Sequence, residues 1–195
     1  GVSVTGKLND DCTEVTATAT IEPLINGTYE IAYALIGDEL TGTASSWKQS
    51  NNYASRTASQ WGIKDSYLIP FCKGGKYGNS RVTLTYDDVL LTSSYISGNN
   101  KAKLEPLQEG KVVTNTYKLK LPKKAIIADA IKKAGYNKLA VIAMIIRNDG
   151  KIENAAKFNL SNDPAGIEGI SENKGELKEV ARYTIDGRRI SAPQR

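Results

Sequence analysis

There is no histidine anywhere in the 195 residues of this chain. That absence removes the side chain that titrates near neutral pH, the commonest zinc ligand, and the middle member of Ser-His-Asp and Cys-His catalytic sets. Cysteine is nearly absent too, with only Cys12 and Cys72, far apart and outside any CxxC spacing. Thiol chemistry is therefore not the expected activity. In an exported chain the even count permits one disulfide, Cys12–Cys72; the alternative is two buried free thiols. Long apolar runs are missing, since the longest, Leu139 to Ile146, is the length of a strand and cannot span a bilayer as a helix. Six prolines and 17 glycines exclude collagen-like character. No initiator methionine precedes Gly1-Val2-Ser3, so a leader and an upstream domain are expected to have been removed.

What is present reads as a folded, moderately polar chain. Hydrophobic residues make up 40% and charged residues 24%, enough for a real core and too few charges for wholesale disorder. The formal charge of +5 comes from 26 Lys+Arg against 21 Asp+Glu. No arginine-rich run interleaves with aromatics, which sets nucleic acid aside as a partner. Attraction to anionic glycans or lipid surfaces stays open.

The first half is written in period two. Val15, Ala17, Ala19 and Ile21 alternate with Thr16, Thr18 and Thr20, as Val2 and Val4 do earlier, so residues 2–21 predict a β-hairpin turning at Asn9-Asp10-Asp11. Tyr29 to Ile36 predicts a third strand with Tyr29, Ile31, Tyr33 and Leu35 on one face. Strand-like segments resume at Tyr67–Phe71, Val82–Tyr86 and Tyr117–Leu121, and Lys101 to Gly110 reads as an irregular connection.

The single convincing helix is 122–134. Pro122 suits its first position, Ile126, Ile127, Ala130, Ile131 and Ala134 make an apolar face, and Gly135 fits the C-terminal cap. Lys138 to Arg147, apolar on both faces, predicts a central strand. Asn148-Asp149-Gly150 turns it into a return strand from Lys151 to Leu160.

The expected architecture is all-β: a mainly antiparallel β-sandwich, immunoglobulin-like or jelly-roll-like, of seven or eight strands with that one short helix. It would occupy residues 1–160. A polar, glycine-bearing linker follows over 161–175, and 176–195 predicts a truncated C-terminal hairpin turning at Asp186-Gly187.

Between Gly37 and Asp65 the periodicity dissolves into Ser, Thr, Asn, Gln and Gly, punctuated by Trp47, Tyr53 and Trp61. Loops of this length inside a domain are usually functional. Trp47, Gln49, Asn51, Asn52, Tyr53 and Trp61 are the candidate ligand-binding residues, because aromatic planes stack on sugars or partner side chains while amides give directional hydrogen bonds. The plain alternative is that Trp47 plugs one end of the sandwich and the amides tie the loop to its own backbone.

Other motifs are weak. Asp87-Asp88 and Asp10-Asp11 are adjacent carboxylates whose side chains on a strand would diverge. Lys73-Gly74-Gly75-Lys76-Tyr77-Gly78 lacks the P-loop pattern and reads as a flexible turn. No catalytic residue, metal site or cofactor is expected.

Three segments together carry a family resemblance. Tyr29-Glu30-Ile31-Ala32-Tyr33-Ala34-Leu35-Ile36-Gly37-Asp38 runs on to Gly42-Thr43-Ala44-Ser45-Ser46-Trp47-Lys48-Gln49-Ser50-Asn51-Asn52-Tyr53. Later come Leu139–Arg147 and Asp149–Ala155. Residues 1–160 on this evidence resemble the C-terminal β-domain of the twenty-eight-kilodalton outer-membrane protein family of Bacteroidetes, and the stretch from Glu179 to Ile190 resembles the opening of a C-terminal sorting module.

The resemblance implies a non-enzymatic outer-membrane, cell-surface or secreted protein, regarded as an adhesin or receptor. Its partner would be a host or envelope protein or a glycan. The alternative it implies is an accessory scaffold domain that packs against, and positions, an upstream thioredoxin-like domain of the same polypeptide.

Overall fold

The computed structural model describes residues 1–94 and 104–160, with the backbone alone of 102–103, 182–183 and 189–190. The strands are β1 (Val2–Leu8), β2 (Glu14–Ile21), β3 (Tyr29–Gly37), β4 (Lys48–Ser50), β5 (Arg81–Thr83), β6 (Val89–Ser93), β7 (Ala102–Lys103), β8 (Val113–Lys120), β9 (Leu139–Arg147), β10 (Ile152–Asn159), β11 (Arg182–Tyr183) and β12 (Arg189–Ile190). Two α-helices accompany them, a single turn α1 (Ala58–Trp61) and the longer α2 (Ala125–Ala134).

The molecule is an all-β, mainly antiparallel sandwich, as expected. One sheet has the order β1-β2-β8; the other runs β10-β9-β3-β6, with β7 also pairing to β3. A separate two-stranded ribbon joins β4 to β5. The chain divides into two compact units, 1–163 and 164–195. In the second, β11 and β12 pair antiparallel; the predicted linker 161–175 and the Asp186-Gly187 turn lie outside the described residues. Among the described residues no helix is long and apolar enough to cross a membrane.

Alternation dictates what the sandwich encloses. In β2 the odd residues Val15, Ala17, Ala19 and Ile21 are buried, and the threonines between them stay on the outer face. They meet Ile31, Tyr33 and Leu35 of β3 and Val141, Ala143 and Ile145 of β9 in one core. Burying these side chains supplies most of the stability, about 1.5–3 kcal/mol for each larger aliphatic. The packing leaves no room for a side chain at Gly6, where a Cβ would stand 2.9 Å from Val141 Cγ2.

Tyr33 joins the two layers. Its ring stacks on Tyr117 of the opposite sheet at 5.7 Å between centroids. Its hydroxyl donates to the Asn115 carbonyl and is equally close, at 2.9 Å, to Asn115 Oδ1. Its backbone N–H donates to Ser94 Oγ at 2.8 Å, so both ends of this buried residue are satisfied.

Several local expectations are corrected. The helix begins at Ala125 with Lys124 as its N-cap, so Pro122 precedes it and does not open it. Ala130 and Ile131 of its apolar face enter the core, and Gly135 caps its end. The predicted strand Tyr67–Phe71 is instead a turn and a 3₁₀ segment, Ile69–Phe71. Pro70 lacks the N–H a ladder needs and sits in the first turn of that segment. Val82–Tyr86 is a strand only over Arg81–Thr83, with Tyr86 making an isolated bridge to Leu40. The connection from Lys101 to Gly110 contains the two-residue strand β7.

Of the two readings open for Cys12 and Cys72, the structure carries free thiols. Cys12 sits in the β1–β2 turn with its Sγ 3.9 Å from the Asp10 carbonyl. Cys72 is buried, its Sγ donating to the Leu68 carbonyl at 3.7 Å. Each sulfur is held by its own turn. Thiol titration under denaturing conditions of freshly purified, never-reduced protein is expected to count two free thiols; none would contradict the structure.

Burial pushes the Tyr33 hydroxyl up to about 12, against about 10 in an unfolded chain. The folded state therefore holds this proton more tightly. Its contribution is complete below pH 10 and is lost as pH rises from about 10 to about 12. Urea unfolding at about pH 9 and about pH 11.5 should show the parent losing more stability over that interval than Tyr33→Phe. Equal losses would contradict the assignment.

Candidate binding surface

β3 and β6 are hydrogen-bonded neighbours, with Gly37 opposite Val89. Everything from residue 38 to residue 88 is therefore an enlarged hairpin connection leaving one edge of the five-stranded sheet. Its neck is tied by reciprocal bonds. The Asp88 N–H donates to Asp38 Oδ1 at 2.7 Å and the Glu39 N–H to Asp87 Oδ1 at 2.9 Å, while Leu40 and Tyr86 exchange two backbone bonds of 2.9 Å. Glu39 and Asp88 adopt left-handed backbone, φ 56° and 52°. The adjacent carboxylates Asp87-Asp88 thus act as structural ties. Asp88 also pairs with Lys157 at 3.0 Å and Glu39 with Lys138 at 2.6 Å, and these partners raise both lysine pKa values.

Trp47 roots the lobe in the sandwich. It is 8% exposed and belongs to the main core. Tyr86 packs on it at 5.9 Å and donates its hydroxyl proton to the Trp47 carbonyl at 2.7 Å. Gly42 lies against the indole edge, and the buried Nε1 finds no acceptor among the described residues. Trp47 therefore plugs the end of the core and cannot itself face a ligand.

Asn51 is the knot of the lobe. Its Nδ2 lies 2.6, 2.8 and 3.1 Å from the carbonyls of Phe71, Tyr77 and Asn79. Its Oδ1 accepts from the Tyr53 N–H at 3.0 Å, and its own N–H donates to the Ser80 carbonyl. With both ends engaged, this amide has little left for a ligand. The glycine-rich stretch wraps beside it: a Cβ at Gly75 would fall 2.5 Å from the Pro70 carbonyl oxygen. The run expected to be a flexible turn is thus a close backbone crossing, closed by the Tyr77 N–H donating to Pro70 at 2.8 Å.

The remaining predicted residues do reach the surface. Tyr53 is 37% and Trp61 39% exposed, and Gln49 and Asn52 are exposed. Trp61 meets Tyr53 edge to face at 6.3 Å and donates its Nε1–H to the Tyr53 carbonyl at 3.2 Å. A capping box holds α1, with the Thr57 hydroxyl and the Gln60 side chain serving each other's N–H.

Several further side chains of the lobe carry charge or an exposed ring. Tyr67 is 85% exposed. The Arg56 guanidinium lies over the Trp61 ring at 5.0 Å, and Lys76 Nζ over the Tyr77 ring at 4.9 Å. The Tyr77 hydroxyl hydrogen-bonds to Lys76 and raises its pKa, keeping it charged. Arg81 donates to the carbonyls of Ser45 and Lys48, each at 3.4 Å. Charge counted by segment would have revealed them. Residues 41–81 hold six cations (Lys48, Arg56, Lys64, Lys73, Lys76, Arg81) against Asp65 alone, so this stretch accounts for the whole formal charge of +5.

Among the described residues, no three His, Cys, Asp or Glu side chains converge as metal ligands. Comparison with protein-family models, with curated proteins and with solved structures gives no match.

Replacing Asn51 with alanine removes the hub that gathers three carbonyls. The lobe should lose about 1–3 kcal/mol of local stability. Limited proteolysis should then cleave within 51–80 well before the sandwich. Unchanged cleavage kinetics would show that the knot is dispensable.

Proposed function

We propose that this chain is a non-enzymatic binding or adhesion module of the cell envelope or of a secreted Bacteroidetes protein, and that the 38–88 lobe is its recognition surface. The observation that carries the reading is the exposure of Tyr53, Trp61 and Tyr67 on a connection whose base is fixed in the core through Trp47. Large aromatics left in water on a rigid support are costly unless they meet a partner, and such residues dominate binding hot spots. The support is ordered before binding, which lowers the entropy lost on association. The resemblance to the twenty-eight-kilodalton outer-membrane protein family supports the address: exported, at the outer membrane, cell surface or outside the cell. The ligand would be a host or envelope protein or a glycan.

A second reading is favoured by Trp47. Its enclosure is what an accessory scaffold domain would show if the loop only shaped a contact with an upstream thioredoxin-like domain.

A glycan and matrix-protein array probed with parent and Tyr53→Ala/Trp61→Ala separates the two. Trp47 is spared because truncating a core tryptophan costs about 3–5 kcal/mol and would unfold the lobe. The binding reading expects at least a tenfold loss of affinity in the double variant, with an unchanged melting curve. Equal binding by both proteins, or no bound spot, would overturn it.

A further inference from the structure

Some cations of the sandwich are paired, while others, Lys7, Lys120 and Lys132 among them, have no carboxylate partner among the described residues. Lys118 meets Glu14, Lys138 meets Glu39, Arg147 meets Asp149 and Glu153, and Lys157 meets Asp88, all within 3.4 Å. The lobe holds six of the unpaired kind. Lys48, Arg56, Lys64, Lys73, Lys76 and Arg81 are all exposed, and none of them has a carboxylate partner among the described residues. Within 41–81 they face the single carboxylate Asp65, the other four acids of the lobe (Asp38, Glu39, Asp87 and Asp88) lying at its neck, so each would gain from a counter-charge.

Several of these cations are tied to the lobe's own bonds and rings. The Lys73 N–H donates to the Arg56 carbonyl at 2.9 Å, and the Asn51 knot bonds the carbonyls of Tyr77 and Ser80, the neighbours of Lys76 and Arg81. Two of them rest on ring faces, Arg56 on Trp61 and Lys76 on Tyr77, so they are partly immobilised before any ligand arrives. Along the chain, basic and aromatic residues are interspersed: Lys48, Tyr53, Arg56, Trp61, Lys64, Tyr67, Phe71, Lys73, Lys76, Tyr77, Arg81.

Resting on the reading of the lobe as a recognition surface, we infer that its ligand is an anionic polysaccharide, carrying carboxylate or sulfate groups on a sugar backbone. The sugar faces would lie on Tyr53 and Tyr67 while Arg56, Lys73 and Lys76 take the charges and Gln49 and Asn52 bond hydroxyls. An arginine fork suits carboxylate and sulfate geometry. Single-stranded nucleic acid fits less well. Tyr53 and Trp61 stand at 81° to each other, and one face of Trp61 is occupied by Arg56, so the pair is not a parallel platform for successive bases. A lipid surface fits less well because Ile69 alone of the lobe's large aliphatic residues is exposed, among the described residues.

The test uses the full chain and soluble probes: dextran sulfate, alginate, neutral dextran, a mixed-sequence single-stranded oligonucleotide, and vesicles containing phosphatidylserine. Binding to dextran sulfate or alginate should exceed that to neutral dextran at least tenfold and weaken steeply with added salt. Arg56→Glu/Lys73→Glu/Lys76→Glu should abolish it with an unchanged circular dichroism melt, while Lys7→Glu/Lys111→Glu, outside the lobe, should keep it. The Arg56→Gln/Lys73→Gln/Lys76→Gln variant gives the same answer if charge reversal disturbs folding. Retained polysaccharide binding in the lobe variants, tighter binding to oligonucleotide or vesicles, or no preference over neutral dextran would overturn the inference. A neutral array ligand lost in Tyr53→Ala/Trp61→Ala would sink this inference alone, leaving the recognition surface intact.

Discussion

The ladder between β3 and β9 is the constraint on which the rest depends. Nine residue pairs, from Tyr29 opposite Arg147 to Gly37 opposite Leu139, align without a break, and most of these residues are buried on both faces. Every other feature is hung from this pair. β10 extends it on one side and β6 and β7 on the other. Tyr33 reaches from it across the core to Asn115, and α2 lays Ala130 and Ile131 on the core just before β9 begins. The lobe leaves from the last residue of β3 and returns to β6 beside it, so its ends are fixed by sheet hydrogen bonds, not by packing of its own.

That origin explains how so polar a segment stays ordered. Only Leu40, Trp47, Cys72 and Val82 among its apolar residues are buried, too few for an independent core. Order comes from the carboxylate ties at the neck, the Trp47 plug and the Asn51 hub. Such a design leaves aromatic and basic side chains outside, where a packed domain would have turned its aromatics inward. The account therefore separates two kinds of stability: apolar burial in the sandwich, and hydrogen bonding to backbone carbonyls in the lobe.

Periodicity made the frame legible in the sequence. The alternation in β1 and β2, the doubly apolar β9, the Asp149-Gly150 turn and the apolar face of α2 are each set by local chemistry that repeats along the chain. Tyr67–Phe71 misled because an apolar run resembles a strand until Pro70 and the surrounding carbonyl bonds fold it. β6 (Val89–Ser93) went unread since its partner, β3, lies on the far side of the long connection.

The lobe was legible as an absence of pattern, with the plugging Trp47 and the backbone-tied amide as one of two open readings. That Trp47 would turn inward while Trp61 stayed out depends on Tyr86 and Gly42, which no spacing rule links to it. Asn51 looked like a ligand-facing amide; its role as a hub depends on carbonyls near positions 71, 77 and 79. The charge imbalance of residues 41–81, by contrast, was available from simple counting by segment.

Native-state hydrogen exchange tests the separation of frame and lobe most directly. Amides of Ile31–Leu35 and Val141–Ile145 should exchange only through global unfolding, with protection that falls with denaturant at the global slope. Those of 51–80 should exchange through smaller openings of lower free energy, insensitive to dilute denaturant. If lobe amides were as protected as those of β3 and β9, or β3 and β9 opened first, the account of a polar lobe hung from an apolar frame would be contradicted.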